Sequence, residues 1–393
     1  ASFDATSVFR PTLDGATGDA STLNASGNIS FADGATISPL LTNVIDSAST
    51  TFRILDARGA LSIGGDLGSL SAIESPFMYD TSFAIDPNDP NALIITLDLR
   101  SADQLGLDAV QSAGFNSAFN ALQNNTDLAN AFVNITDGTE FNHSISQLLP
   151  EFAAAARQFI VANVDGAVGA VGTHLDNARK SQAKPGGVWI QEFAYFADRD
   201  LAGLSEQYRG HGFGLSGGAD TELGPFHSVG VNVGFATTEI EDGAGFDEPM
   251  DVVTFQLGSY AGYSSGNLGV EAYAGLGFND FASTRKIEVG TFSDSAKGDW
   301  TGQHYNASLR AGYDFKISDK FWARPALSFD YLTLTESAYT EDGPLGIALE
   351  VDKRTSKLGG ATAMLNFGAT FQGKRTSLSP SFRVGYRNEF IND

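Results

Sequence analysis

The chain has 393 residues, 42% of them hydrophobic, with 44 glycines, no cysteine and a formal charge of -23. The missing cysteines exclude a thiol nucleophile, a Cys-ligated metal and a disulfide framework, and the acidic balance argues against nucleic acid, which calls for a basic face. No apolar run approaches the roughly 18 residues of a membrane helix, so the chain can enter a bilayer only as a closed barrel of strands.

Ala1-Ser-Phe-Asp4 carries neither Met nor a basic leader and reads as a processed or cut end. Residues 1–100 are rich in Ser, Thr, Asn and Gly. Short apolar bursts punctuate them at Gly27-Asn-Ile-Ser-Phe31, Thr51-Phe-Arg-Ile-Leu55 and Ala92-Leu-Ile-Ile-Thr-Leu97. Turn pairs flank the bursts: Asp14-Gly15, Asp33-Gly34, Gly64-Gly65 and Asp86-Pro87. Short strands at such spacing suit a β-sandwich or the last coils of a β-solenoid, although no repeat of constant period is visible.

Residues 101–149 change character. Leu105, Val110, Phe115, Phe119, Leu122, Leu128, Ala131 and Phe132 recur at helical spacing, broken at Gln123-Asn-Asn-Thr-Asp127. This predicts a connector of two short helices, the second capped by Thr126 or Asp127.

Residues 150–186 hold a longer helix and a short linker, Ala183-Lys-Pro-Gly-Gly187. Pro150 suits a first turn, and the helix is expected to run to about Lys180. Val161, Val164, Val168, Val171 and Leu175 make an apolar stripe; Gly166, Gly169 and Gly172 lie three apart beside it. Each interior glycine costs about 1 kcal/mol of helix propensity relative to alanine, so three of them predict a close approach to this backbone. Arg179-Lys180 suits the negative end of the helix dipole. A plug inside a barrel lumen is the reading adopted; an ordinary amphipathic helix packed on another domain is the plainer one.

From 187 to 393 the chain alternates strictly. Val229, Val231, Val233 and Phe235 fall opposite Gly230, Asn232 and Gly234. Nine strands are predicted, at about 188–198, 211–223, 226–239, 250–264, 267–283, 300–317, 320–336, 357–372 and 375–390. Their length, and aromatics gathered towards their ends, mark a transmembrane antiparallel β-barrel, apolar outside and wet within. Alternation then places Ser216, Asp220, Asn232, Gln256, Glu271, Tyr273, Asn306, Arg310, Asp314, Arg324, Asp330, Arg383 and Arg387 in the lumen, where mixed charges can pair with one another or with the helix. Bacterial single-chain barrels use even strand counts, so nine strands ending at Asp393 suggest that further strands belong to the architecture.

Catalytic motifs fail on context. Gly214-Leu-Ser-Gly-Gly218 matches G-x-S-x-G, but Ser216 sits within a strand with no helix after it, and His211 and His227 lie near the strand's far ends. Gly212, Gly214 and Gly217 satisfy G-x-G-x-x-G with the same defect. The histidines at 143, 174, 211, 227 and 304 have no metal-binding spacing. Glu241-Asp242 and Asp247-Glu248 read as solvated loop acids rather than a calcium site. No enzymatic activity, metal or cofactor is expected.

The order of parts resembles a monomeric autotransporter of the type V secretion kind. Thr51 to Ala57, Gly65-Asp-Leu-Gly-Ser69 and Ala92 to Leu97 look like the autochaperone end of a passenger solenoid. Leu105-Gly-Leu-Asp-Ala109, Phe115 to Leu122 and Ser146-Gln-Leu-Leu-Pro150 look like the junction, and Gly187-Val-Trp-Ile-Gln191 like the first barrel strand. The resemblance implies a twelve-stranded outer-membrane barrel around a pore helix, with about nine strands present and a small passenger remnant before it. It implies a translocator that exports and anchors its own passenger at the surface of a Gram-negative cell, in contact with outer-membrane lipid, the barrel-assembly machinery and periplasmic chaperones. The surface ligand is not specified by the residues, and neither is release of the passenger. Relatives that cleave themselves do so at paired asparagines in the helix; here Asn124-Asn125 lies upstream of it, and Asn163 and Asp165 do not form such a pair. An outer-membrane channel and a surface adhesin with a plugged anchor are the competing readings.

Overall fold

The computed structural model describes residues 1–65, 67, 70, 74–149, 153–181, 186–199, 208–242, 250–318, 320–344, 346–372, 377–378 and 380–392. They fall into two compact units.

The first unit joins Ala1–Glu151 with Arg285–Ala296 and Asp342–Leu349. Its N-terminal part is a parallel β-solenoid. Ser2–Phe3 pairs with Ile29–Phe31, which pairs with Leu61–Ile63; Val8–Phe9 pairs with Thr36–Ile37, Thr12–Asp14 with Leu40–Thr42, and Leu23–Ala25 with Ser49–Ala57. Ser2 faces Ser30 and Thr12 faces Leu40, a step of 28 residues, whereas Leu23 faces Leu55, a step of 32. That change of step within two coils is why no constant period was legible. Small and apolar residues stack from coil to coil; Phe3 lies flat on Phe31 with ring centroids 4.3 Å apart. The antiparallel pair Tyr79–Asp86 and Asp89–Leu99 extends the sheet from Ser49–Ala57. Tyr79 is sealed in the core, its hydroxyl accepts from the Ile45 amide, and burial pushes its pKa up to about 12.

Three connector helices follow, one more than predicted: α1 Ala109–Asn124, α2 Thr126–Val133 and α3 Gly138–Ser146. Asp108 starts α1 in a capping box with Gln111, and Asp137 caps α3. The break between α1 and α2 falls where expected, but the cap of α2 is Asn125, whose side chain accepts from the Leu128 amide. Thr126 is already helical, so neither Thr126 nor Asp127 can supply that cap. Phe115, Leu122, Phe132, Phe141 and Ile145 turn inward and join the solenoid residues Phe52, Leu55 and Leu93 in one core.

The second unit comprises Phe152–Thr284, Lys297–Glu341 and Glu350–Asp393. It contains the helix α4, Ala153–Ser181, and a single antiparallel sheet whose strands follow chain order. Nine long strands are described: Gly186–Arg199, Tyr208–Leu223, Phe226–Asp242, Met250–Ser265, Leu268–Val289, Phe292–Tyr313, Phe321–Glu336, Arg354–Ala369 and Ser381–Asn392. The predicted first turn at Pro150, most of the linker at 182–185 and the acidic pair Asp247-Glu248 lie outside the described residues. The predicted loop at 284–299 is instead strand, because the fifth and sixth strands continue to a tight turn at Gly290, where φ is +56°. Tight glycine turns also close the second–third and fourth–fifth strand pairs, at Gly224 and Gly266.

No described helix is long and apolar enough to cross a membrane, which says nothing of strands. The strands themselves turn apolar residues outward. Val231 is 63% exposed and Phe255 44%, while their neighbours Asn232 and Gln256 are each 2% exposed. A contiguous apolar face of this size marks a surface built to contact lipid.

Candidate functional site

The polar face of the sheet receives α4. The helix makes two kinds of contact along its length. In its first half, Phe159, Ile160, Val161 and Val164 pack with Tyr208, Ile240, Val252, Phe281, Trp300, Leu332 and Leu334 in an apolar collar. Trp300 is stacked between Phe281 and Tyr339, at 5.1 and 4.4 Å between centroids. Its indole N–H donates to Glu336, which also accepts two hydrogen bonds from Arg354, at 2.6 and 2.5 Å. A carboxylate buried this deeply needs such charge-assisted partners.

One polar side chain interrupts the collar. Asn163, 1% exposed, donates to Thr254 at 3.2 Å and to Thr238 at 3.4 Å, and accepts from the Tyr195 hydroxyl at 2.7 Å. Thr254 continues the chain to Asn279 and from there to His304. Three strands therefore hold one helical amide, an arrangement that fixes both rotation and depth.

In its second half α4 is held by charge. Asp176 pairs with Arg324 and with Arg179. Arg179 pairs with Asp314, Arg310 with Glu271 at 3.6 Å, and Arg324 with Glu271 at 3.4 Å. His174 lies 2.7 Å from Asp220 and stacks on Trp189, whose N–H donates to Tyr260 at 2.7 Å. Before this set, still in the first half of the helix, Asp165 meets Arg387 at 3.2 Å.

Each residue assigned to the lumen by alternation has a definite place on this face. Asp220, Asp314, Arg324 and Arg387 reach the helix, and Glu271 and Arg310 stand beside Gly172. Ser216 accepts from Asn232, Gln256 donates to Tyr273, Asp330 accepts from Ser308 and Ser328, and Arg383 donates to Asn366. Asn306 is buried at 5% exposure between strands. Arg383 differs in being solvent-exposed. Ser216, tied to Asn232 in mid-strand, has no catalytic neighbour among the described residues, and these contain no cluster of metal-binding side chains.

One expectation about the helix is corrected. Gly166, Gly169 and Gly172 do not share one packed face, because a spacing of three turns each residue about 60° from the last. A Cβ at Gly166 would strike the Phe193 ring, and one at Gly172 would stand 3.3 Å from Arg310, but Gly169 has open space around it. Arg179 lies in the last turn of α4, as expected, and is also committed to Asp176 and Asp314. A signal for the binding face was present in the sequence: Asp165, Gly169, Gly172, Asp176 and Arg179 each follow or parallel the apolar stripe at spacings of four and three. Beside Asp165, Gly169 and Gly172 a cavity of about 250 Å³ remains, lined by Arg310, Asp330, Arg383 and Arg387.

An antiparallel sheet of nine long strands with an apolar outer face, a polar inner face and a helix held on that inner face has the make-up of an outer-membrane barrel wall. Residues 188–393, just over half of the chain, match the family described as the autotransporter beta-domain, and the chain belongs to that family. It is 29% identical over 170 residues to esterase EstA of Pseudomonas aeruginosa and, equally, of Pseudomonas putida, covering 42% of this chain and 25% of each relative. It is 26% identical over 223 residues to YaiT of Escherichia coli, covering 55% of this chain and 22% of that protein. The chain thus spans about a quarter of the length of these curated relatives. Among solved structures it is similar to the beta domain of the Bordetella autotransporter BrkA, at TM-score 0.41 and 21% identity, over 52% of this chain and 80% of that one. It is also similar to the translocator domain of NalP from Neisseria meningitidis, at TM-score 0.43 and 13% identity, over 59% and 78%. Residues 188–393 are thus an autotransporter beta-domain, a domain of the outer membrane.

Proposed function

We propose that α4 is the tether by which residues 1–149 stay joined to the barrel after export, and that the same helix closes the bore. The observation that carries this reading is the two-ended grip on α4: Asn163 at one end, and Asp176 and Arg179 at the other, are each held by strand side chains. A segment that merely passed through would have no reason to match the strands residue by residue. In this reading residues 1–100 are the end of the passenger, 101–149 the connector, 150–186 the pore helix with its linker, and 187–393 the barrel. The translocator does its work by packing and charge and catalyses nothing; esterase is the name of the Pseudomonas relatives, and any such activity would reside in a passenger. Insertion would depend on the barrel-assembly machinery and periplasmic chaperones, as the resemblance to the family implies.

Planar-bilayer conductance tests the plug. The full-length protein should conduct little, and deletion of residues 153–181 should raise single-channel conductance several-fold. Equal conductance before and after deletion would favour an open channel and refute the plug.

A further inference from the structure

The two ends of the barrel sheet differ in charge. At one end the long strands are joined by 224–225, 266–267, 314–320 and 370–380, and at the other by 200–207, 243–249, 290–291 and 337–353. In sequence the first set holds four cations, Lys316, Lys320, Lys374 and Arg375, against Asp314 and Asp319. Asp314 is already taken by Arg179, in the last turn of α4. The second set holds eight carboxylates, four of them in 337–353, and Lys353 as its one cation. In a chain of charge -23, a surplus of cations at one end calls for a partner of opposite sign.

The connection at 314–320 is tightly built. Phe315–Lys316 pairs with the start of the seventh strand, Phe315 facing Ala323 and Lys316 facing Trp322. The Ile317 and Ser318 amides both donate to the Phe321 carbonyl, at 3.0 and 3.1 Å. The Ser318 hydroxyl accepts from the amides of Lys320 and Phe321, at 3.3 and 3.1 Å. The Lys320 carbonyl accepts from the Thr370 amide at 2.8 Å, which ties this connection to the next, where Phe371 faces Leu378. Phe315, Ile317, Phe321, Phe371 and Leu378 are between 43% and 68% exposed, and Lys316, Ser318 and Lys320 are exposed with them. Aromatic rings beside exposed lysines are the make-up of a surface at the membrane–water boundary, with rings at the acyl edge and ammonium groups among the headgroups.

We propose that Lys316, Ser318 and Lys320, with the apolar rim of Phe315, Phe321 and Phe371, bind the headgroup of an anionic glycerophospholipid. A phosphodiester can accept from both ammonium groups, and a serine oxygen that accepts from two amides still has its O–H to donate. Gly224-Pro225 and Gly266-Asn267 turn in two residues, whereas 200–207 and 337–353 run to eight and seventeen, and short turns mark the periplasmic side of such barrels. The lipid is therefore one of the periplasmic leaflet. The eight carboxylates of the opposite end repel the same headgroup. Binding requires the lipid-facing outer wall and not the plug.

The test uses the full-length protein in detergent micelles holding equal amounts of phosphatidylglycerol and phosphatidylcholine, with retained lipid counted by native mass spectrometry. The parent should retain phosphatidylglycerol roughly tenfold over phosphatidylcholine, as two lysines near an anionic surface allow. Salt at about 0.5 M should weaken that preference, because exposed charges are screened. K316Q/K320Q should reduce it to about twofold or less, and K353Q, at the opposite end, should leave it unchanged. Heat-modifiability on gels shows whether each variant barrel is folded. K320Q alone should lower the preference roughly threefold and decides the matter should the double variant fail to fold. Equal retention of the two lipids by the parent would overturn the proposal, and so would an undiminished preference in a folded variant of Lys320. Release of the lipid by millimolar inorganic phosphate would overturn the assignment to lipid in favour of a site for the free anion.

Discussion

In the first unit Ile29, Phe31, Phe52, Ile54 and Ile95 point into a sealed core while Ser30, Thr51 and Thr96 point outward. In the second, Val231, Val233, Phe255 and Leu257 point outward while Asn232, Thr254 and Gln256 are buried. Both use the same period-2 alternation, with opposite faces turned in. In the solenoid and connector, burial of apolar surface stabilises the fold and hydrogen bonds mainly fix its rungs. In the barrel the apolar face is left to lipid, so what selects a single arrangement inside is polar matching: Asn163 with its threonines, and Asp176 and Arg179 with Arg324 and Asp314. The contrast teaches that alternation encodes a two-faced strand and leaves the choice of solvent for each face to the surroundings.

The largest effect that would break this comparison lies inside the barrel. Arg324→Ala removes the cation that Asp176 and Glu271 share, leaving Arg179 to the one and Arg310 to the other, and should cost about 3–5 kcal/mol, the range for loss of one partner from a buried ion pair. Its measure is a lower unfolding midpoint of the barrel in detergent, and an unchanged midpoint would mean that the inner charges do not hold the helix.

A smaller effect compares the two outer faces. Val231→Arg puts a cation on the lipid face and should cost roughly 2–4 kcal/mol, depending on depth. Val110→Arg, on an exposed face of α1, should change stability by no more than about 0.5 kcal/mol. Equal and negligible costs, measured by denaturation of each unit within the whole protein, would place Val231 in water.

The smallest effects separate two glycines of one helix. Gly166→Ala forces the Phe193 ring aside and should destabilise the barrel by about 1–3 kcal/mol. Gly169→Ala meets no neighbour and should stabilise α4 by up to about 1 kcal/mol through helix propensity. Parallel melts of the two variants give the sign of each, and a matching sign would dissolve the distinction.

Much of the barrel was legible because its strands are long and its alternation unbroken: the third and fourth strands match the predicted 226–239 and 250–264 to within three residues at each end. The extension at 284–299 was not, because Ser293, Asp294, Lys297 and Gly298 look like loop residues when no partner strand is in view. The solenoid was obscured by its change of step. Within the site, the strand side of the grip could be read from alternation alone, whereas His174, Asp176 and Arg179 went unnoticed as partners. A charge on a helix has the same appearance in sequence whether it faces water or an arginine.

By itself the sequence determined the two-faced strands, the absence of thiols, and the helix that precedes the barrel. These depend on local periodicity and composition, which neighbouring residues fully express. Only the tertiary structure decided which glycine is crowded and which carboxylate meets which cation. Those facts arise from residues far apart in the chain, such as Asp176 and Arg324, and separations of that kind acquire meaning only when the chain has closed on itself.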